Sequence, residues 1–119
     1  MARSEEELKA KFKEDPTSME AFSGLRRMYK KAERWSDLAW LYQGRAEGLD
    51  VENRKADMFF KASKLYLEKL EEEDKGIECL YRGVILDPRH RRNSRKLIKI
   101  LQERNENEKL LKIISNEIE

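Results

Sequence analysis

The sequence predicts an all-α protein of stacked antiparallel helical hairpins, an α-α superhelix with about three repeats behind a leading N-terminal helix. Apolar residues recur at steps of three and four, and no stretch alternates as a strand would. Residues 38–44 (LAWLYQG) and 77–83 (IECLYRG) share an apolar residue followed by Leu-Tyr-x-Gly, 39 positions apart. Pro16 and Pro88 lie two periods of 36 apart. A repeat of this length is typical of helical hairpins that pack side by side.

The leading helix is predicted over about residues 4–13, where Leu8 and Phe12 lie one turn apart on the same face. It is expected to stop before Asp15 and Pro16, because proline lacks the amide hydrogen that a continuing helix needs. The length of the chain predicts a single domain, residues 1–119, in which residues 4–16 precede the first hairpin.

The first hairpin is predicted over residues 17–50. Thr17 and Glu20 match a capping box, in which a hydroxyl and a carboxylate accept hydrogen bonds from the free amides of a helix start. After a turn at residues 30–34, Ser36 is expected to cap the second helix. The apolar faces of the two helices are formed by Met19, Phe22, Leu25, Met28 and Tyr29 and by Leu38, Leu41, Tyr42, Ala46 and Leu49.

The second hairpin is predicted over residues 51–88. Asp50 is the expected cap of its first helix, which covers about residues 51–71. Asp74 is the expected cap of its second helix, which follows an acidic turn and ends before Pro88. The apolar faces are formed by Met58, Phe59, Ala62, Leu65, Tyr66 and Leu70 and by Ile77, Leu80, Tyr81, Val84 and Ile85.

The third hairpin is predicted over residues 89–119. Its first helix covers about residues 91–104, and the polar residues 105–107 separate it from the second helix. The apolar faces are formed by Leu97, Ile98 and Leu101 and by Leu110, Leu111, Ile113, Ile114 and Ile118.

The three hairpins correspond position by position. The equivalent residues are Tyr29, Tyr66 and Leu101 in the first helices, and Tyr42, Tyr81 and Ile114 in the second helices. Gly44 and Gly83 each follow one of the second-helix tyrosines by two positions. Because a small residue allows two helices to approach closely, we expect both glycines at contacts between helices.

The composition excludes several classes of protein. Charged residues make up 42% of the chain and net charge is +2, which suits helices with solvated outer faces. No apolar run approaches the roughly 20 residues of a membrane span, and no secretion signal is visible, so we expect a cytoplasmic protein. Cys79 has no second cysteine to pair with, and we expect it to pack in a helix. With one histidine, one cysteine and no Gly-rich phosphate loop, we expect neither enzymatic activity nor a cofactor.

The spacing within the hairpins is similar to that of a known repeat family. The matching segments are Phe22-x2-Leu25-x3-Tyr29, Phe59-x2-Ala62-Ser63-x2-Tyr66 and Gly76-x3-Leu80-x2-Gly83-x4-Pro88. In these segments the chain resembles the tetratricopeptide repeat (TPR) proteins, with departures at Arg26 and Ile98, where a small residue is usual. Periods of 35–37 also leave open the half-a-tetratricopeptide repeats of RNA-processing scaffolds.

The resemblance implies a superhelix whose first helices line a concave groove. The resemblance also implies that Arg92 and Lys96 match two basic positions with which chaperone-binding members grip a peptide carboxylate. A concave surface focuses its own field, so a basic groove is expected to favour an acidic ligand. The candidate groove residues are Arg27, Lys30, Lys31, Phe60, Lys61, Lys64, Arg92, Arg95, Lys96 and Lys99.

The leading functional hypothesis is a scaffold or adaptor that binds an acidic or amphipathic segment of a protein partner. One alternative is a self-associating structural repeat, forming homo-oligomers through apolar ends such as the one that carries Ile114. Another is a helical repeat that binds RNA or DNA through the basic face from Arg89 to Lys99. The near balance of charge and a pI of about 8.6 disfavour the nucleic-acid alternative.

Overall fold

The structure, a computed structural model, describes residues 4–104, and this part of the chain is all-helical. No residue within it lies in a strand, which confirms the predicted fold class. The predicted helix at residues 110–118 lies outside the described residues. The helices are α1 (Glu5–Glu14), α2 (Met19–Lys31), α3 (Trp35–Gly48), α4 (Glu52–Glu68), α5 (Glu73–Leu86) and α6 (Arg91–Glu103).

Consecutive helices run antiparallel. Lys11 Nζ near the end of α1 lies 2.6 Å from the Glu20 carboxylate at the start of α2. The Phe22 and Tyr42 rings, in the first half of α2 and the second half of α3, lie 6.0 Å apart. Such pairings follow from the short connections, because two helices joined by a short loop pack antiparallel.

Alternate helices run parallel and form two layers. Phe12 of α1 contacts Trp40 of α3 edge to face at 5.6 Å, and Glu47 of α3 pairs with Arg82 of α5 at 3.4 Å. In the other layer, Asn93 of α6 donates a hydrogen bond to the Ala56 carbonyl oxygen of α4 at 3.0 Å. The layers α1–α3–α5 and α2–α4–α6 are the arrangement that a helical repeat produces.

The core consists of two clusters. The larger joins side chains of α1 to α5, and the smaller lies mainly between α5 and α6. The equivalent residues Tyr29, Tyr66 and Leu101 each lie two positions before the last residue of their helix, and all three are buried. The smaller cluster consists of Ile77, Leu80, Val84, Leu97 and Leu101.

The glycines at the predicted helix contacts are tightly enclosed, as expected. A Cβ atom at Gly44 would lie 2.9 Å from the Phe12 ring, and one at Gly83 would lie 2.4 Å from Asn93 Nδ2. Both distances are shorter than carbon contacts allow, so these two positions require the absence of a side chain.

The predicted helix caps are wrong. Ser18, not Thr17, accepts the hydrogen bond from the Ala21 amide, because the Thr17 hydroxyl donates to Asp15 Oδ1 at 2.5 Å. The other helices predicted to have a capping side chain begin at Trp35, Glu52 and Glu73, each without a side-chain hydrogen bond from its cap residue. Ser36 and Asp74 therefore lie inside α3 and α5, while Asp50 lies two residues before α4.

Two residues assigned to apolar faces are exposed. Met19 is 61% exposed because it is the first residue of α2 and lies at the rim of the fold. Ile85 is 67% exposed. Since successive residues of a helix point about 100° apart, the buried Val84 leaves its neighbour Ile85 facing outward.

Candidate functional site

A groove follows α2 and α4 on the surface of the fold. It is formed by two adjoining cavities of about 500 Å³ and 400 Å³, which share Arg26 of α2 and Lys61 of α4. We call this surface the α2–α4 groove. Its basic lining residues are Arg26, Lys30, Arg45, Arg54, Lys61, Lys64 and Lys69, and its carboxylates are Asp57 and Glu68.

The floor of the groove is apolar and aromatic. Phe22 and Tyr42 are both 5% exposed and pack against each other, and Leu38 of α3 is 1% exposed. Burial raises the pKa of Tyr42 above its ordinary value, so its hydroxyl stays neutral. The other apolar lining residues are Met19, Trp35, Leu49, Met58 and Leu65.

The carboxylates of the groove neutralise only some of its cations. Asp57 lies 3.6 Å from Lys61 and 3.9 Å from Arg92, and Glu68 lies 3.8 Å from Lys96. Among the residues that the structure describes, Lys30 and Lys64 have no carboxylate within 4.0 Å. The groove therefore keeps an excess of positive charge along both walls.

Three of the ten candidate residues from the sequence line the α2–α4 groove. Lys30 comes from α2, and Lys61 and Lys64 come from α4. Lys61 Nζ also lies 6.0 Å from the centre of the Tyr42 ring, so the cation reaches over the aromatic floor.

Three further candidates form a separate cluster where α4 meets α6. The Arg92 guanidinium lies 6.0 Å and Lys96 Nζ 5.8 Å from the centre of the Phe60 ring. The His90 ring lies 6.2 Å from the same centre. Phe60 is thus half-buried beneath two cations of α6.

The remaining candidates are exposed and do not line the groove. They are Arg27 and Lys31 on α2, and Arg95 and Lys99 on α6. Each lies one or two positions from a buried residue of its helix. Because neighbouring helix positions point in different directions, a small error in the assumed register places such a side chain on the wrong face. Their role in binding stays a prediction.

Four cations of the groove were missed by the sequence reasoning. Arg45 belongs to α3, a second helix that the resemblance places away from the concave side. Arg26 occupies a position where the repeat family holds a small residue, and that departure was the available signal. Arg54 and Lys69 lie near the two ends of α4, where periodicity is least informative.

The described residues offer neither an accessible thiol nor a group of metal-ligating side chains. Cys79 is 1% exposed, and burial raises the pKa of its thiol to about 12, so the thiol stays neutral and inaccessible. Within residues 4–104, no three side chains are grouped as metal ligands. No helix in that range combines the length and the apolar character needed to cross a bilayer.

No protein-family model matches the chain, and no curated protein matches its sequence. The resemblance to tetratricopeptide repeats therefore stays a prediction from residue spacing.

Proposed function

We propose that this protein is an interaction scaffold or adaptor whose α2–α4 groove binds an acidic or amphipathic peptide segment of a protein partner. The observation that supports it is the lining of the groove, which has seven cations and two carboxylates above an aromatic and aliphatic floor. Charge and shape together select a ligand that combines carboxylates with apolar side chains.

The two walls and the floor have different tasks in this proposal. Lys30 and Lys64 stand on opposite walls and attract carboxylates of the peptide, which raises the rate of encounter. Tyr42 and Leu65 accept apolar side chains, whose burial contributes about 25 cal/mol per Å² before the entropic cost of binding is subtracted. A ligand lacking either feature loses one of these contributions.

The test starts from a library of random twelve-residue peptides selected on the immobilised protein. We expect enrichment of sequences that alternate acidic and apolar residues. Fluorescence anisotropy with the enriched peptides then compares the wild type with the Lys30→Glu/Lys64→Glu variant. We expect affinity to fall at least about tenfold, since two attractive charges become repulsive.

The matched control is Lys13→Glu/Lys55→Glu, which changes net charge equally on surfaces outside the groove. It should bind the peptides within about twofold of the wild type, because distant charges are screened by salt. Circular dichroism checks that both variants remain helical. Equal affinity of the two double variants, or enrichment of basic peptides, contradicts the proposal.

The nucleic-acid alternative ranks second. The positive charge of the basic face on α6 is partly neutralised, because Arg92 lies 3.9 Å from Asp57 and Lys96 lies 3.8 Å from Glu68. A phosphate backbone would have to compete with both carboxylates for those cations.

A further inference from the structure

Arg45 is a buried cation at one end of the α2–α4 groove. Its side chain is 8% exposed, and its guanidinium lies 4.8 Å from the centre of the Phe22 ring. Among the described residues, no carboxylate comes within 4.0 Å of it. A buried charge that forms no direct ion pair is costly, and an anion bound beside Arg45 would offset that cost.

The hydrogen bonds of Arg45 leave part of the guanidinium available. It donates to the Pro16 carbonyl oxygen at 2.8 Å and to the Met19 thioether at 2.9 Å. A thioether is a weak acceptor, and a guanidinium has five N–H donors. Because Arg45 also lines the cavity of about 500 Å³, its remaining N–H donors are available to a ligand there.

Two more guanidinium groups lie beside Arg45. Arg26 approaches the same Phe22 ring at 5.6 Å, and Arg54 lines the same cavity from the first turns of α4. The pKa of Arg45 is lowered chiefly by burial; the charge of Asp15 opposes this shift, and the charge of Arg54 adds to it. Neither Arg26 nor Arg54 has a carboxylate within 4.0 Å among the described residues.

The carboxylate that lines this cavity is engaged by other cations. Asp57 lies 3.6 Å from Lys61, 3.9 Å from Arg92 and 3.8 Å from His90 Nε2. It therefore does not neutralise the three arginines. Among the described residues, this end of the groove therefore holds three arginines, none of which has a carboxylate within 4.0 Å.

We propose that Arg26, Arg45 and Arg54 bind the phosphoryl group of a phosphorylated side chain in a peptide that occupies the groove. The inference deepens the proposed function and rests on it, since the phosphoryl group belongs to the bound peptide. It assigns the cavity of about 500 Å³ at this end as a phosphoserine or phosphothreonine subsite.

A phosphoryl group fits the three arginines better than a carboxylate does. It carries a charge of about −1.5 to −2 at neutral pH and three strong acceptor oxygens, whereas a carboxylate carries one charge. Guanidinium groups bind such oxyanions with paired, charge-assisted hydrogen bonds. One phosphoryl oxygen also replaces the Met19 thioether, which is exposed and free to move aside.

The experiment measures three fluorescein-labelled peptides, Gly-Glu-Leu-X-Glu-Phe-Gly, in which X is serine, glutamate or phosphoserine. We expect the phosphoserine peptide to bind at least about tenfold more tightly than the glutamate peptide, because its charge and its hydrogen bonds are both greater. In parallel, inorganic phosphate is titrated into the ¹⁵N-labelled protein. The Nε–H signals of Arg45 and Arg54 should shift together.

Variants separate the subsite from general attraction. Arg45→Gln risks unfolding the chain because Arg45 bonds Pro16, so the informative variant is the exposed Arg54→Gln, with Arg26→Gln as a second. Each should reduce the preference for phosphoserine over glutamate to below about threefold. Lys75→Gln removes an equal charge from an exposed position of α5, outside the groove, and should leave the preference intact.

The possible failures are distinguishable. Equal affinity for the phosphoserine and glutamate peptides overturns the phosphoryl subsite and leaves peptide binding in place. An unchanged preference in Arg54→Gln and Arg26→Gln, or phosphate titration without shifts at Arg45, overturns it as well. Phosphate shifts without binding of any peptide would support the anion site and refute the proposed peptide function.

Discussion

Tyr29 and Tyr66 hold the same place in α2 and α4, but their hydroxyls have different surroundings. The Tyr66 hydroxyl donates a hydrogen bond to Gln43 Oε1 at 2.7 Å. Among the described residues, the buried Tyr29 hydroxyl has no hydrogen-bond partner, and burial raises the pKa of Tyr29 to about 12. A buried hydroxyl without a hydrogen bond destabilises the fold, because its desolvation is not compensated. A buried hydroxyl that forms a hydrogen bond stabilises the fold.

The same substitution should therefore have opposite effects at the two positions. We expect Tyr66→Phe to lower the free energy of unfolding by about 1 kcal/mol, because it deletes a hydrogen bond and leaves Gln43 with one fewer partner. Tyr29→Phe should leave the free energy of unfolding unchanged or raise it by up to about 1 kcal/mol. Urea denaturation followed by circular dichroism measures both. A clear loss of stability in Tyr29→Phe would mean that its hydroxyl is bonded in solution.

At the scale of elements, the turns of the α2–α3 and α4–α5 hairpins are each closed by a residue of left-handed conformation. Glu33 follows α2 with φ 53°, and Glu71 follows α4 with φ 52°. The backbone amides of the next residues, Arg34 and Glu72, then bond back to the carbonyl oxygens of Tyr29 and Tyr66 at 2.9 Å and 2.8 Å. Glycine adopts such a conformation without strain, and glutamate does not.

Replacing this glutamate by glycine should stabilise the protein. We expect Glu33→Gly to raise the free energy of unfolding by up to about 1 kcal/mol, because relief of backbone strain exceeds the added entropy of the unfolded chain. The matched control is Ala32→Gly at the preceding, exposed residue, whose φ is −88°. There only the entropic cost remains, so stability should fall by about 0.5–1 kcal/mol. Thermal unfolding measures both, and a loss in Glu33→Gly would contradict the strain argument.

For the molecule as a whole, the division of the core into two clusters has a consequence for unfolding. In a repeat protein each unit contacts mainly its neighbours, so stability is close to a sum of local contributions. Leu25 belongs to the cluster of α1 to α5, and Leu97 to the cluster of α5 and α6. Both side chains are 0% exposed, so their truncations are comparable.

Amide hydrogen exchange can show whether the two clusters open separately. Leu97→Ala should lower the free energy of unfolding of the smaller cluster by about 2–5 kcal/mol. It is therefore expected to speed exchange in α5 and α6, with little effect in α2 and α3. Leu25→Ala should do the reverse, with the fastest exchange in α1, α2 and α3. If either variant accelerates exchange equally in every helix, the described residues unfold as one unit.

The candidate site was only partly predictable from the chain. Spacing along single helices predicted that Lys30, Lys61 and Lys64 share a surface, and all three line one cavity. Arg45 was missed because its position depends on how α3 lies beneath α2 and α4, which no single helix specifies. Phe60, another candidate groove residue, lies instead beside α6, next to Arg92 and Lys96.

The sequence by itself determined the all-α class, the order of the helices and their approximate ends, because apolar period and proline positions act within one element. It also determined which small residues lie at close helix contacts, as Gly44 and Gly83 demonstrate. Only the tertiary structure decided which cations share a groove, which hydroxyls are bonded and which carboxylates are already paired. Those properties depend on distances between residues far apart in the chain, and such distances exist only once the helices have packed.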